Sequence, residues 1–357
     1  MLEVNEDIRI AETLSSEFYT EDRFFTESSA RIFARTWQLC SLASDINGLK
    51  PVTLLENVLD EPILFSRDGD NINCLSNVCT HRGMILVEEP CSASGIRCGY
   101  HGKRFGLDGK FLSMPEFEEA RNFPSEKDDL PAVPSGRWGD FMFASVAPVA
   151  PLENFFDDVS RRTSGIDLSK LKLVGTKDYI VDAHWALYCE NFLEGFHVPF
   201  VHPALMKTLD YDSYTTEVSR FSSVQTAWES KPSEADVKRV LELGVNPFEQ
   251  GVAALYFLVF PNLMLNFYPW GLSVNIVRPM TKAMTTVSYM TFVGDESKTG
   301  VGAGGDLDTV ELEDQAVVRK VQKGVRSAFY DRGRYSPTRE QGTHHFHRLI
   351  CEFMNAR

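Results

Sequence analysis

Two short stretches constrain this chain more than anything else in it: CTHRG at 79–83 and CGYHG at 98–102. Each pairs one cysteine with one histidine on a glycine-containing turn, and sixteen residues separate His81 from Cys98. Four such side chains on two turns can close one compact metal site. Two fillings suit the donor types: a tetrahedral Zn²⁺ held by two cysteines and two histidines, or a [2Fe–2S] cluster with the cysteines on one iron and the histidines on the other. Spacing decides between them. Structural zinc sites pair like with like, as Cys-x₂₋₄-Cys and His-x₃₋₅-His. Here each turn supplies one donor of each kind, as two irons with different ligands require. Gly83, Gly99 and Gly102 let backbone amides approach bridging sulfides, and hydrogen bonds to those sulfides raise the potential.

Charge narrows the partners. The net charge of −14 argues against nucleic acid or an anionic membrane surface. The opening MLEVNEDIRIAETLSSEF has neither a basic n-region nor an apolar h-region, so no signal peptide is expected. No window approaches eighteen uninterrupted apolar residues, so no membrane span is expected, and a cytoplasmic location follows. The seven cysteines are odd in number in a long chain, which favours metal ligation or burial over disulfides.

Texture along the chain predicts an α+β architecture. Residues 11–37 carry a helical pattern. From about 40 to 148, short β-like runs such as EPILFSRDGD and FMFASVA are separated by turn residues, which reads as a small antiparallel β domain. A mixed stretch ends in a helix expected around 185–198. Five strand-like runs follow, from VSRFSSVQTAW to TTVSYMTFVG, and suggest one curved antiparallel sheet before a helix at about 308–330. The expected divisions are an N-terminal helical segment (1–38), a β domain (39–148) and a second, larger domain (149–357).

That larger domain holds a second candidate site. Within WALYCENFLEGFHVPFVHPA (185–204), Glu194, His197 and His202 stand out. On a continuous helix, five residues turn through roughly 500°, which leaves the two imidazoles about 140° apart. Pro199 can break the helix and let them converge. Two histidines and one carboxylate with open positions suit O₂ chemistry at Fe(II). Asp314 is the candidate third ligand. At roughly 100° per residue, Val310, Val317, Val318, Val321 and Val325 fall within about 60° of it, which sets the acid in an apolar stripe. A buried carboxylate is costly unless it is paired, and a metal would pair it. Glu313 projects from a different face, and Glu311 is the substitute if Asp314 fails.

The first constellation resembles the Rieske signature C-x-H-x₁₆-C-x₂-H. Respiratory Rieske proteins add one cysteine to each loop, and Met84 and Tyr100 stand in those places here, so CTHRG looks like the oxygenase type. The second resembles the carboxylate-x₂-His-x₄-His motif of the catalytic α subunit of Rieske non-haem iron oxygenases, with Asn191 also matching. The resemblance implies a Rieske-type β domain joined to a helix-grip (START-like) catalytic domain. It implies a [2Fe–2S] cluster held by Cys79, His81, Cys98 and His101, and mononuclear Fe(II) held by His197, His202 and Asp314. O₂ would be the co-substrate, with a separate ferredoxin or flavin reductase bringing electrons from NAD(P)H. It further implies a homotrimer in which His101 of one subunit meets Glu194 of the next. Glu194 in place of the commoner Asp, and EQGTHHFHRL near the end, look like the branch acting on carnitine, glycine betaine and stachydrine. The expected activity is hydroxylation beside nitrogen, with demethylation or C–N cleavage. The alternatives are an aromatic-ring dioxygenase forming a cis-diol, and a Rieske electron carrier without oxygenase activity.

Some signals stay unabsorbed. Lys103-Arg104 stand where the family often has an aromatic residue, and would tune the cluster edge or meet a reductase. GVGAGG at 300–305 matches G-x-G-x-x-G, but Pro337 and Gly333, not a strand, follow the next helix, so a loop is expected there. His344, His345 and His347 read as C-terminal packing or helix surface, and His184 as packing at a helix start. Phe196, Phe200, Tyr211, Tyr214, Trp228, Phe267, Tyr268 and Trp270 are the aromatics from which a cation–π cage or a planar slot could be built.

Overall fold

Strand alternation explains the first unit. In EPILFSRD, Ile63 and Phe65 point one way and Leu64 the other, and all three are fully buried. A strand buried on both faces must sit between two layers. A computed structural model describes residues 1–204, 206, 210–299 and 307–356. It divides into one unit of residues 33–149 and another made of 1–32 with 150–357.

In the first unit the strands are β1 (Gln38–Leu42), β2 (Leu49–Leu54), β3 (Glu61–Asp68), β4 (Asn71–Ser76), β5 (Ile96–Arg97), β6 (Arg104–Phe105), β7 (Phe111–Ser113), β8 (Ser135–Trp138) and β9 (Phe141–Ala144). They form three antiparallel sheets in the orders β1-β9-β8, β2-β3-β4 and β5-β6-β7. On one face of the middle sheet, Ile63, Phe65 and Cys74 pack against Met142 and Ala144. On the other, Leu64 and Leu75 pack against Phe105, Cys79 and Cys98. The two motif cysteines are therefore part of a hydrophobic core, which fixes where their loops sit.

The second unit opens with helices α1 (Glu17–Thr20) and α2 (Asp22–Arg31), then α3 (Leu152–Arg162). Strand β10 (Lys172–Val181), helices α4 (Trp185–Phe192) and α5 (Val198–Val201), strands β11 (Thr215–Val218) and β12 (Ser222–Trp228), and α6 (Glu234–Arg239) follow. Strands β13 (Val252–Val259), β14 (Leu263–Tyr268), β15 (Gly271–Thr281) and β16 (Met284–Val293) precede α7 (Leu307–Gly324) and α8 (Gln341–Asn355). The strands make one seven-stranded antiparallel sheet in the order β10-β16-β15-β14-β13-β12-β11. Strands β12 and β14 are buried along their whole length, so both faces of the sheet are covered. Helix α4 packs on both α7 and β15. This is the expected α+β, helix-grip architecture. Among the described residues, no helix is long and apolar enough to cross a membrane.

Two expectations need correction. The helix expected at 185–198 stops at Phe192, ahead of Pro199, and resumes as α5. The break falls around Gly195, where an added Cβ would lie 2.7 Å from the Tyr214 ring. Pro199 sits at the start of α5, where a missing N–H costs nothing. The late helix ends at Gly324, not near 330. Its buried stripe is also rotated from the apolar one: Glu311, Gln315, Val318, Gln322 and Val325 are buried, while Val321 is exposed. Asp314 thus stands at the edge of the stripe. The glycine-rich run 300–305 lies outside the described residues.

Candidate metal centres

The two motif loops are built alike. Cys79 N–H donates to the Met84 carbonyl at 2.8 Å, and Cys98 N–H to the Lys103 carbonyl at 2.8 Å. Gly83 N–H returns to the Cys79 carbonyl and Gly102 N–H to the Cys98 carbonyl, at 3.0 and 3.1 Å. Gly83 and Gly102 close these turns with φ of 72° and 76°, values that a side chain disfavours. The result is two matched fingers. Cys79 and Cys98 are each 2 % exposed, and burial pushes the Cys79 thiol up in pKa. The His81 and His101 rings lie 4.7 Å apart between centroids. His101 Nδ1 is buried without a hydrogen-bond partner. Two buried sulfurs beside two imidazoles, one with an orphaned nitrogen, fit a mixed-ligand cluster.

Lys103 is 2 % exposed, which rules out the reductase contact considered for it; Arg104 is the exposed member of the pair. The Lys103 ammonium lies 2.8 Å from Thr80 Oγ1 and 3.0 Å from Asp128 Oδ1.

In the other unit, the break after α4 turns the chain so that His197 and His202 face each other, their ring centroids 5.1 Å apart. Each ring is held by a carboxylate through Nδ1. His197 Nδ1 lies 2.8 Å from Glu194 Oε1, and His202 Nδ1 lies 2.6 Å from Glu313 Oε2. Glu194 Oε2 also accepts from the His197 backbone N–H at 3.0 Å. This leaves both Nε2 atoms aimed at Asp314 Oδ1, 3.5 Å from His197 and 2.9 Å from His202. Ligand atoms of all three residues lie within 4.8 Å of one another. Asn191 Nδ2 donates to the same Asp314 oxygen at 2.7 Å. Carboxylates behind the histidines and a single carboxylate in front make a donor set that fits a divalent metal with open positions. Burial works to lower the pKa of His202, but the carboxylates of Asp314 and Glu313 outweigh it and raise it.

Glu313 is a departure from expectation. The helical wheel set it on a different face from Asp314, yet it reaches the far nitrogen of His202. Nothing in the local sequence marks it; the link spans 111 residues. Glu311 is engaged elsewhere. The hydroxyls of Tyr188 and Tyr289 donate to its Oε2, and Gln315 Nε2 donates to its Oε1 at 2.8 Å. Burial raises its pKa to about 7.

The donor set opens into a pocket between the sheet, α4 and α7. Its floor follows from strand register. Gln225, Tyr256, Asn266 and Ser273 are successive cross-strand partners on β12 to β15, and Met264, Asn275 and Tyr289 form the next row. Of the aromatics singled out from sequence, Tyr214 and Tyr268 line this pocket. Trp228, Phe267 and Trp270 are buried side chains outside its lining, and Phe200 is 79 % exposed. Tyr256 and Asn266 were missed because only strand register brings them to the pocket that His197, His202 and Asp314 line, and Tyr188 joins them from α4, three residues before Asn191.

His184 is the N-cap of α4, with Nδ1 accepting from Ala186 N–H at 3.2 Å. The histidines of α8 pack separately: His344 Nε2 meets the Asn5 carbonyl at 2.7 Å and His347 Nδ1 meets the Tyr335 hydroxyl at 2.6 Å.

Comparison with known proteins agrees with this chemistry. The catalytic domain of the ring hydroxylating alpha subunit matches residues 168–356, just over half of the chain, and the Rieske [2Fe-2S] domain matches residues 36–124. The chain belongs to this family: it is a Rieske-type oxygenase subunit carrying a [2Fe–2S] cluster and a mononuclear iron. It is 27 % identical to the chloroplastic choline monooxygenase of Arabidopsis thaliana over 95 % of its length and 82 % of that protein's. It is also 27 % identical to the carnitine monooxygenase oxygenase subunit of Escherichia coli K12, over 95 % of this chain and 93 % of that one. A solved quaternary ammonium Rieske monooxygenase, studied for carnitine oxidation by gut microbiota and inter-subunit electron transfer, shares the fold with a TM-score of 0.76. Its identity is 21 %, over 98 % of this chain and 97 % of that chain.

Proposed function

We propose that this oxygenase hydroxylates a small quaternary ammonium compound at a carbon next to nitrogen, one oxygen atom per turnover, with N-demethylation or C–N cleavage as the outcome. The observation that carries this is the tyrosine-walled pocket, Tyr214, Tyr256 and Tyr268, opening directly onto the His197–His202–Asp314 set. Aromatic faces bind alkylated ammonium groups through cation–π attraction. The relatives named for choline and carnitine support the same class.

In this reading Cys79, Cys98, His81 and His101 hold the cluster, and His197, His202 and Asp314 hold the ferrous ion. When bound, the two groups supply single electrons and the activation of O₂. Glu194 fixes the His197 ring through Nδ1, and Glu313 does the same for His202, so that both present Nε2. Asn191 holds the Asp314 carboxylate by its N–H. Gln225 Nε2 donates to the Phe192 carbonyl at 2.5 Å and its Oε1 accepts from Tyr214, which ties the end of α4 to the pocket wall. The β domain (33–149) receives electrons from a separate reductase, and the catalytic domain (150–357, with 1–32) uses them. A homotrimer would let His101 of one subunit hand electrons to Glu194 of the next. A cytoplasmic location, beside the reductase, goes with this assignment.

The test is turnover with a reductase, NADH and ¹⁸O₂ across small quaternary amines and aromatic acids. The expected result is an ammonium-dependent product with one labelled oxygen and release of an aldehyde. A doubly labelled cis-diol from an aromatic acid, with the amines inert, would overturn it.

A further inference from the structure

We propose that Glu311 is a specificity-determining residue that selects a singly charged ammonium alcohol over ammonium compounds bearing a carboxylate. The inference rests on the ammonium reading above and narrows it. Glu311 lies one turn before Asp314 on α7, is 4 % exposed and lines the same pocket. Its three donors, Tyr188, Tyr289 and Gln315, are all neutral, and no cationic side chain among the described residues forms an ion pair with it. Lys177 acts on this carboxylate only from outside the pocket lining, without an ion pair, so the buried acid still favours a cation inside the pocket. The charges around the pocket point the same way. Glu194, Glu311 and Asp314 line it, while its described lining contains no lysine or arginine. Burial disfavours the ionised form of Glu311, and one ammonium group in the pocket would stabilise that form. A substrate carboxylate would add a like charge in a poorly solvated space, where repulsion is strong. Asn266 supplies the second feature. It is 4 % exposed, and its Oδ1 is buried without a partner on the pocket floor. An acceptor left free there matches a hydroxyl donor on the substrate.

Equilibrium binding to the iron-loaded enzyme tests this, using choline, its uncharged tert-butyl isostere and glycine betaine. The wild-type protein is expected to bind choline roughly tenfold or more tightly than either of the others. Glu311→Gln should lose that preference, with choline weakened by a similar factor and the neutral isostere unchanged. Choline binding that is equal in wild type and E311Q, or a wild type that takes glycine betaine as tightly as choline, would overturn the inference and leave the ammonium reading standing. A wild type that takes the uncharged isostere as tightly as choline, or binds none of the three, would overturn the ammonium reading itself.

A second inference stands on the other unit. We infer that Lys103 is a positioning residue for the cluster and raises its reduction potential. Thr80 lies between two of the proposed ligands, and Lys103 follows His101 by two residues, so the Lys103 ammonium bridges both fingers. It anchors them to Asp128, whose backbone carbonyl also accepts from Thr80 Oγ1 at 2.9 Å. Phe105, Phe111 and Phe123 surround the ammonium with ring centroids at 5.5, 5.3 and 5.8 Å. A buried ammonium tied to both fingers would stabilise the reduced form of a cluster held there, which carries one more electron, and the paired Asp128 carboxylate would oppose it. EPR-monitored potentiometry should therefore show opposite shifts: a lower potential in Lys103→Met and a higher one in Asp128→Asn. The neutral double variant should fall between them, and it remains informative if K103M does not load its cluster. Potentials that match the wild type in all the variants that load would overturn the inference.

Discussion

At the scale of single residues, the site divides into what chain-local spacing reveals and what it hides. Glu194 and His197 are three apart, so their pairing could be anticipated from the motif. Asp314 could be found as an acid within an apolar helical pattern. Glu313 could not, because its partner His202 is 111 residues away and its own neighbours give no sign of it. Its role nevertheless follows from chemistry. A metal-bound histidine needs a partner on its other nitrogen to fix ring orientation, and loss of such a partner costs roughly 10- to 100-fold in metal affinity. Glu313→Gln is therefore expected to weaken iron retention by about that factor. Iron released during dialysis against a graded chelator would show it, while the cluster absorption stays unchanged. Retention equal to that of the wild type would mean that His202 is held by its packing alone.

Elements explain why some boundaries were misread. The pattern WALYCENFLEGFHV continues a helical period past Phe192, but the chain leaves the helix there, just ahead of Gly195, whose missing Cβ leaves room for the Tyr214 ring. Proline is the stronger local signal, which sets the expected break at Pro199; Gly195 is a weaker one upstream, and the observed break falls beside it. On α7 the buried polar stripe of Glu311, Gln315 and Gln322 misled the apolar wheel in the same way. The start of α4 carries a consequence for pH. His184 is fully buried between Phe18, Tyr19 and Trp185, its backbone N–H donates to Gln322, and its Nδ1 must stay unprotonated to accept from Ala186. Burial lowers its pKa from 6.5 to about 3. A histidine depressed in the folded state binds its proton more readily when unfolded. The stability it lends is present above about pH 6.5 and is lost as pH falls toward 3, by up to about 1.4 kcal/mol per pH unit. Thermal unfolding between pH 7.5 and 5 should therefore show a falling midpoint. His184→Asn keeps a capping acceptor that does not titrate in this range, and should flatten the slope. An unchanged slope would assign the acid sensitivity to other groups.

For the whole molecule, sequence was a good guide to architecture and a poor one to the pocket. The change from short β runs to a longer strand series gave the α+β class, and two ligand-bearing motifs gave the chemistry. The pocket floor was invisible, because Gln225, Tyr256, Asn266 and Ser273 are neighbours only through strand register. The largest question at this scale is the route of the electrons. The proposed ligand sets lie in separate units of the chain, and the proposed trimer joins His101 of one subunit to Glu194 of the next. Two inactive chains can test that route. Cys98→Ser removes a proposed cluster ligand and keeps the proposed iron set; Asp314→Ala keeps the proposed cluster ligands and removes a proposed iron ligand. Co-expressed in equal amounts, they form mixed trimers in which an intact cluster faces an intact iron across roughly one interface in four, since half the donors and half the acceptors are competent and a cyclic trimer has three equivalent interfaces. Turnover near a quarter of the wild-type rate per chain is therefore expected, where each parent alone has essentially none. If electrons instead stay within one chain, every mixture remains as inactive as its parents, because no single chain carries both centres intact.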